Sequence, residues 1–180
     1  KPDAEHGRRL QRLVGDDLVN QRVRVPARTP RLLGRRGAST RDWAYPYYRD
    51  AALCLGLGMT GKEQLLSFLA KDSDPSSGGR QMPQHYGHKD LRIVSQSSPT
   101  GTQFLQAVGC AMSRRWENKK EIVYVSSGEG STSEGEFHEA LNWASREKLP
   151  VIFHIQDNEY AISVHISEQT SGSSVFDMVS

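Results

Sequence analysis

Residues 121–126 (EIVYVS) and 150–155 (PVIFHI) are two short β-rich runs, and one amphipathic segment, 134–148, lies between them. Neither run alternates cleanly between polar and apolar residues, which is the pattern of strands buried on both faces of a parallel sheet. In the intervening segment Phe137, Ala140, Leu141 and Ala144 fall at spacings of 3, 4 and 7, the apolar stripe of a helix. Ser133 with Glu136 reads as its capping box. Strand, helix and strand in this order make a βαβ unit, whose two strands must run parallel. Both strands then end on one edge of the sheet, the edge where open α/β sheets bind ligands.

Gly128-Glu129-Gly130 follows the first run and Asp157-Asn158 follows the second. A carboxylate and a side-chain amide therefore converge although 29 residues separate Glu129 from Asn158. Both present hard oxygen, which suits Mg²⁺ or Ca²⁺ better than zinc. Mg²⁺ takes few protein ligands and completes its shell with water and phosphate oxygens. The expected helix start near Ser131–Ser133 adds backbone N–H donors for an anion. The pattern predicts a metal-bridged phosphate site. The competing reading is local: acid and amide residues at strand ends also cap turns and helices, and Gly-x-Gly after a strand is common in α/β domains. Glu139 and Glu147 read as a solvated helix face.

The rest of the chain supplies neighbours for this unit. Residues 49–58 (RDAALCLGLG) read as a small-residue helix, and 59–71 (MTGKEQLLSFLAK) as a second, with Thr60 and Glu63 as capping box. Residues 72–90 form a long polar loop with Pro75, Gly78, Gly79 and Pro83; such loops are functional or disordered. Residues 101–116 read as a helix with Phe104, Leu105, Val108, Ala111 and Met112 on its apolar face. Cys54 and Cys110 sit among small and apolar residues, as buried free thiols of a reducing, intracellular setting would.

Charge divides the chain. Residues 1–41 carry eleven Lys and Arg against four Asp and Glu, a net of +7, so the overall +2 leaves −5 on the other 139 residues. That remainder suits an ordinary soluble domain with no nucleic-acid partner. Residues 1–41 show no sustained period of 3.6 or 2. They are expected to be a poorly ordered or extraneous leader to a folded domain over 42–180. No apolar run approaches the roughly 20 residues that span a bilayer, so no membrane partner is expected.

The stretch GEGSTSEGEFHEALNWASREKLPVIFHIQDNEYAIS resembles the thiamine diphosphate signature, which opens Gly-Asp/Glu-Gly and closes Asn-Asn or Asp-Asn nearly thirty residues later. It is more closely similar to the alpha subunit of the decarboxylating component of 2-oxo acid dehydrogenases, the branched-chain type above all. YYRD (47–50), GGRQMPQHYG (78–87), SSPTGTQFLQAVG (97–109) and SEQT (167–170) follow the same family in the same order. The resemblance covers about residues 43–176. It implies a three-layer α/β fold, a mostly parallel sheet flanked by helices and incomplete at the C-terminus.

The resemblance also implies roles. Glu129 and Asn158 would ligate Mg²⁺ through their side chains and Tyr160 through its carbonyl. Tyr48 and Arg49 would contact the diphosphate, with Gly128, Gly130 and Ser131 in the cofactor-binding turn. Ser98 and Thr100 would lie under the aminopyrimidine. Ser97, Thr102 and Gln103 would form a potassium site, the alternative being a capping cluster at the start of helix 101–116. Arg80 and His85 lie in the loop near the site, with His85 either a catalytic proton carrier or a structural histidine. Thr100 stands where the family has a bulky apolar residue, Gln156 where the branched-chain type has Arg, Asp157 for the first Asn and Glu159 for a frequent Gly. The implied reaction is oxidative decarboxylation of a small 2-oxo acid, with the acyl group passed to a lipoyl acyltransferase component. A beta-type chain or fused beta domain would complete the site, and the chain alone is expected to be inactive. The compartment would be a bacterial cytoplasm, or the mitochondrial matrix in a eukaryote. The alternatives are another thiamine enzyme, such as a pyruvate or acetoin dehydrogenase alpha chain, and an inactive binding module.

Overall fold

The computed structural model describes residues 42–172 and 174–179. The Arg-rich segment 1–41 and the order expected of it lie outside the described residues. The central sheet has three strands, β1 (Trp43–Tyr45), β2 (Val123–Gly128) and β3 (Val151–Gln156), in the order β1-β2-β3. Both pairings are parallel, and the register sets Val123 opposite Val151 and Gly128 opposite Gln156. The βαβ unit read from the sequence is thus present, with β2 two residues further along than its β-rich run suggests. Its helix, α4 (Gly135–Arg146), follows α1 (Ala51–Leu57), α2 (Gly61–Phe68) and α3 (Thr102–Trp116). A small antiparallel hairpin of β4 (Tyr160–Ala161) and β5 (Val164–His165) and a short α5 (Val175–Val179) complete the described chain.

The central strand explains the three layers. Val123 and Val125 are buried in one apolar cluster with Phe104, Ala107, Val108 and Ala111 of α3 and Phe137, Ala140 and Ala144 of α4. Ile122 and Tyr124, pointing the other way along the strand, are buried in a second cluster with Cys54 and Leu57 of α1, Ile93 and Ile152. A strand alternates its side chains between faces, so an all-apolar run has to be covered twice. The Phe104 and Phe137 rings pack at 5.0 Å, and Phe153 of β3 sits 6.1 and 6.3 Å from them. Cys54 and Cys110 are both free thiols, the first buried and the second half-buried.

One local expectation is corrected. The capping box at Ser133 does not form. Residues Glu129–Ser133 make a 3₁₀ turn instead, and α4 starts after Glu134, which has no side-chain cap bond. The backbone donors expected from residues 131–133 are therefore those of a turn, and Glu134 N–H is spent on the Ser131 carbonyl at 3.2 Å. Strand β1 was not anticipated, because three residues before Pro46 show no readable period. The segment 72–90 is ordered around buried Asp74, whose carboxylate accepts from the backbone N–H of Ser76, Ser77 and Gly79 at 3.0 to 3.3 Å. The capping box predicted for α2 is present: Thr60 Oγ1 accepts from Glu63 N–H at 3.2 Å, and Glu63 accepts from Thr60 N–H at 2.7 Å.

Candidate active site

The carboxyl edge of the sheet gathers four segments: the turns after β1, β2 and β3, and loop 96–101. Glu129 follows β2 and is 2 % exposed. Its Oε2 accepts the Asn158 backbone N–H at 3.4 Å, and its Oε1 is buried with no hydrogen-bond partner. The acid and the amide residue therefore meet at the strand ends. Asn158 Oδ1 accepts Tyr160 N–H at 2.9 Å, which folds the chain back into the β4–β5 hairpin. Gly130 permits this approach, since a β-carbon there would stand 2.7 Å from Ala161 Cβ. Glu159, at φ +71, holds a left-handed conformation that ordinarily favours glycine.

A buried carboxylate oxygen without a partner is unfavourable unless a donor or a cation meets it. The Glu129 environment fits a hard cation. It also fits few protein ligands: no cluster of three or more His, Cys, Asp or Glu side chains occurs among the described residues.

Beneath this turn lies a network that the sequence did not announce. Asp50, at the start of α1, is buried and accepts from Tyr47 N–H at 3.0 Å, from Gln156 Nε2 at 2.8 Å and from the Ser126 hydroxyl. It joins the turn after β1 to β2 and β3. Burial pushes its carboxyl up to about 6, against those three donors. Gln156, where the branched-chain type has Arg, is thereby committed to Asp50. Arg49 and Tyr48 are exposed next to this anchor; Arg49 Nε donates to the Tyr48 hydroxyl at 3.1 Å and its guanidinium lies 5.3 Å from the Tyr48 ring.

A cavity of about 300 Å³ opens beside the turn, lined among others by Tyr47, Tyr48, His85, Ser98, Thr100 and Gln103. His85 is buried, and its Nε2 is 2.8 Å from the Ser98 hydroxyl. The loop histidine and the first of the two residues expected under the aminopyrimidine are thus in contact. Arg80 is exposed in the same loop. Ser97 Oγ and Thr102 Oγ1 are 2.6 Å apart, and the Thr102 hydroxyl donates to Pro99 O at 3.1 Å. Gln103 turns away from them, donating to the Ser126 carbonyl and to Ser127 Oγ, both at 3.3 Å. The N-cap position of α3 is Gly101, in the left-handed region at φ +88 and with no side-chain cap bond, so these three residues are not its N-cap. Ser131 is buried, its hydroxyl donating to Ser127 Oγ at 2.5 Å and Gly128 O at 2.7 Å, so it shapes the turn from within.

A parallel sheet flanked by helices, with an acid and an amide residue joined at its carboxyl edge beside a cavity, defines an α/β protein with a candidate ligand site at that edge. The profile of the family described as Dehydrogenase E1 component matches residues 34–179, and the chain belongs to that family. It is 48 % identical over 136 residues to 2-oxoisovalerate dehydrogenase subunit alpha of Bacillus subtilis (strain 168), covering 76 % of this chain and 41 % of the relative. It is 44 % identical over 137 residues to the mitochondrial subunit alpha of Homo sapiens, covering 74 % and 30 %. It is 40 % identical over 156 residues to the mitochondrial subunit alpha 1 of Arabidopsis thaliana, covering 87 % and 30 %. The chain thus spans well under half the length of these relatives.

Proposed function

We propose that this chain forms the metal- and diphosphate-binding part of the active site of a thiamine diphosphate-dependent 2-oxo acid dehydrogenase of the branched-chain type. The observation that carries the reading is the buried Glu129 carboxylate, one oxygen unpartnered, against Asn158 at the ends of neighbouring parallel strands. Mg²⁺ would take Glu129, the Asn158 side chain and the Tyr160 carbonyl, leaving the rest of its shell to water and phosphate oxygens. Gly130 keeps the turn narrow enough for β4 to close on it, and Gly128 lies beside Tyr47 and Gln156. Arg49 would supply positive charge to the diphosphate and Tyr48 a contact beside it. Ser98 and Thr100, on the cavity wall, would support the aminopyrimidine. Ser97 and Thr102, with their hydroxyl oxygens 2.6 Å apart, would serve a potassium ion, whereas the Gln103 amide nitrogen is held at Ser126 and Ser127.

Bound thiamine diphosphate supplies the carbon nucleophile and electron sink for loss of CO₂. This chain's share is to bind, orient and exclude water. His85 Nε2, which lies 2.8 Å from the Ser98 hydroxyl, would carry a proton at the cavity wall. The small 2-oxo acid is the substrate, a beta-type chain or domain is the partner, and the acyl group passes to a lipoyl acyltransferase component. The compartment would be a bacterial cytoplasm or a mitochondrial matrix. The test is calorimetric titration of thiamine diphosphate with and without Mg²⁺, followed by reduction of an artificial electron acceptor with 2-oxoisovalerate, pyruvate or acetoin as substrate and a beta-type partner present. Binding should require the metal, and 2-oxoisovalerate should be preferred. Metal-independent binding, or preference for acetoin, would overturn the reading.

A further inference from the structure

Two tyrosines stand side by side in the turn after β1, and their circumstances are opposite. Tyr48 is 45 % exposed, and its hydroxyl is bonded to Arg49. Tyr47 is 3 % exposed, and its Oη is buried with no hydrogen-bond partner. The rings meet edge-on, with centroids 5.0 Å apart at 63°. Tyr47 Cε2, next to the carbon that bears the hydroxyl, lies 3.9 Å from the point where a β-carbon on Gly128 would stand. The hydroxyl end of the ring is therefore against the Gly128-Glu129-Gly130 turn. Tyr47 also lines the cavity. Two buried polar atoms at this edge, Tyr47 Oη and Glu129 Oε1, thus lack partners.

Buried hydroxyls are ordinarily paired, and an orphan one points to a role or to a group that pairs with it. A tyrosine needed only as a core ring could be phenylalanine with no orphaned hydroxyl. Burial, with the Asp50 carboxylate next in strength and Glu129 adding to it, holds the phenol well above its ordinary range, although Arg49 opposes them. The group is thus a donor and wants an acceptor. Resting on the proposed diphosphate reading of the site, we infer that the Tyr47 hydroxyl is a ligand-binding group, donating a hydrogen bond to an anionic oxygen of the bound diphosphate. Glu129 would meet the cation and Tyr47 the anion, so the two orphans are satisfied by one metal–diphosphate pair.

The inference makes a paired demand that a packing role does not. In the full chain, Tyr47→Phe keeps the ring and deletes the orphan. The ligand-free thermal midpoint should stay level or rise. Affinity for thiamine diphosphate and for inorganic pyrophosphate, each with Mg²⁺, should fall by about ten-fold or more by calorimetry, as expected for a lost hydrogen bond to a charged acceptor. Unchanged affinity in the variant, with the native chain binding both probes, overturns the role of Tyr47 and leaves the diphosphate reading standing. Weaker binding together with a lower midpoint also overturns it, since lost packing then accounts for both. A native chain that binds neither probe with Mg²⁺ overturns this inference and the reading beneath it.

Discussion

Glu129 was legible from the sequence because a parallel pair of strands fixes where its turn must lie, whatever the side chains around it do. The depth of its burial was not legible. It depends on the β4–β5 hairpin folding back over Gly130, which no periodicity announces. Tyr47 and Tyr48 show the same limit: adjacent in sequence and alike in chemistry, they are separated by the turn that Asp50 holds, one inward and one outward. A buried carboxylate with an unpartnered oxygen is destabilising while the ligand is absent. Glu129→Gln should therefore raise the ligand-free stability by about 1 kcal/mol or more while lowering Mg²⁺-dependent affinity for thiamine diphosphate at least ten-fold. Asn158→Ala should lower that affinity with the fold retained, as judged by near-ultraviolet circular dichroism. Normal metal-dependent affinity in either variant would show that the metal lies elsewhere.

The βαβ unit and helices α2 and α3 were readable because each has its own period or cap. Strand β1 and the start of α4 were not, since both are decided by tertiary contacts. Ser133 looks like a cap, yet the 3₁₀ turn that carries Glu129 consumes it. Asp50 and His154 were equally hidden, because what matters about each is the neighbouring strand. Asp50 ties the turn after β1 to β2 and β3, and burial lifts its carboxyl from 3.8 to about 6. His154 of β3 is bonded to the Tyr124 hydroxyl of β2, and burial lowers it from 6.5 to about 4. The signs oppose each other. A raised carboxyl contributes stability below pH 3.8 and loses it as pH rises through about 6. A depressed histidine contributes stability above pH 6.5 and loses it as pH falls through about 4. Each shift corresponds to about 3 kcal/mol, over nearly the same window, so the two largely offset. Asp50→Asn removes one side of the balance. Between pH 6.5 and 4 the variant should lose about 3 kcal/mol relative to the native chain. Urea unfolding followed by tryptophan fluorescence at several pH values measures this, and a difference that stays constant across the window would refute it.

At the scale of the molecule, the site has one chemical half well represented. The Glu129 carboxylate proposed to meet the metal, Arg49 and the glycine turn all come from the carboxyl edge of three parallel strands. The cavity wall beside them is built of tyrosine, serine, threonine, glutamine, proline, glycine, methionine and a single histidine, with no aspartate or glutamate among the lining residues. Proton transfer to and from a bound cofactor needs a positioned acid or base, and His85 alone offers one group for several transfers. Meanwhile Leu65, Phe68 and Leu69 around α2 and Trp116 at the end of α3 are exposed, each more than half. Large apolar groups left outside are typical of surfaces that meet another chain. On the proposed reading the site is split, with a further acid carried by a beta-type partner. The chain alone should then bind thiamine diphosphate with Mg²⁺ and show no measurable decarboxylation of 2-oxoisovalerate with an artificial electron acceptor. Titrating in a beta-type chain should restore turnover, saturating at an equimolar ratio. His85→Asn should lower the restored kcat by about a hundred-fold or more with little change in cofactor affinity, separating proton transfer from binding. Turnover by the chain alone would mean that the acid lies within it, and the split-site account would fall.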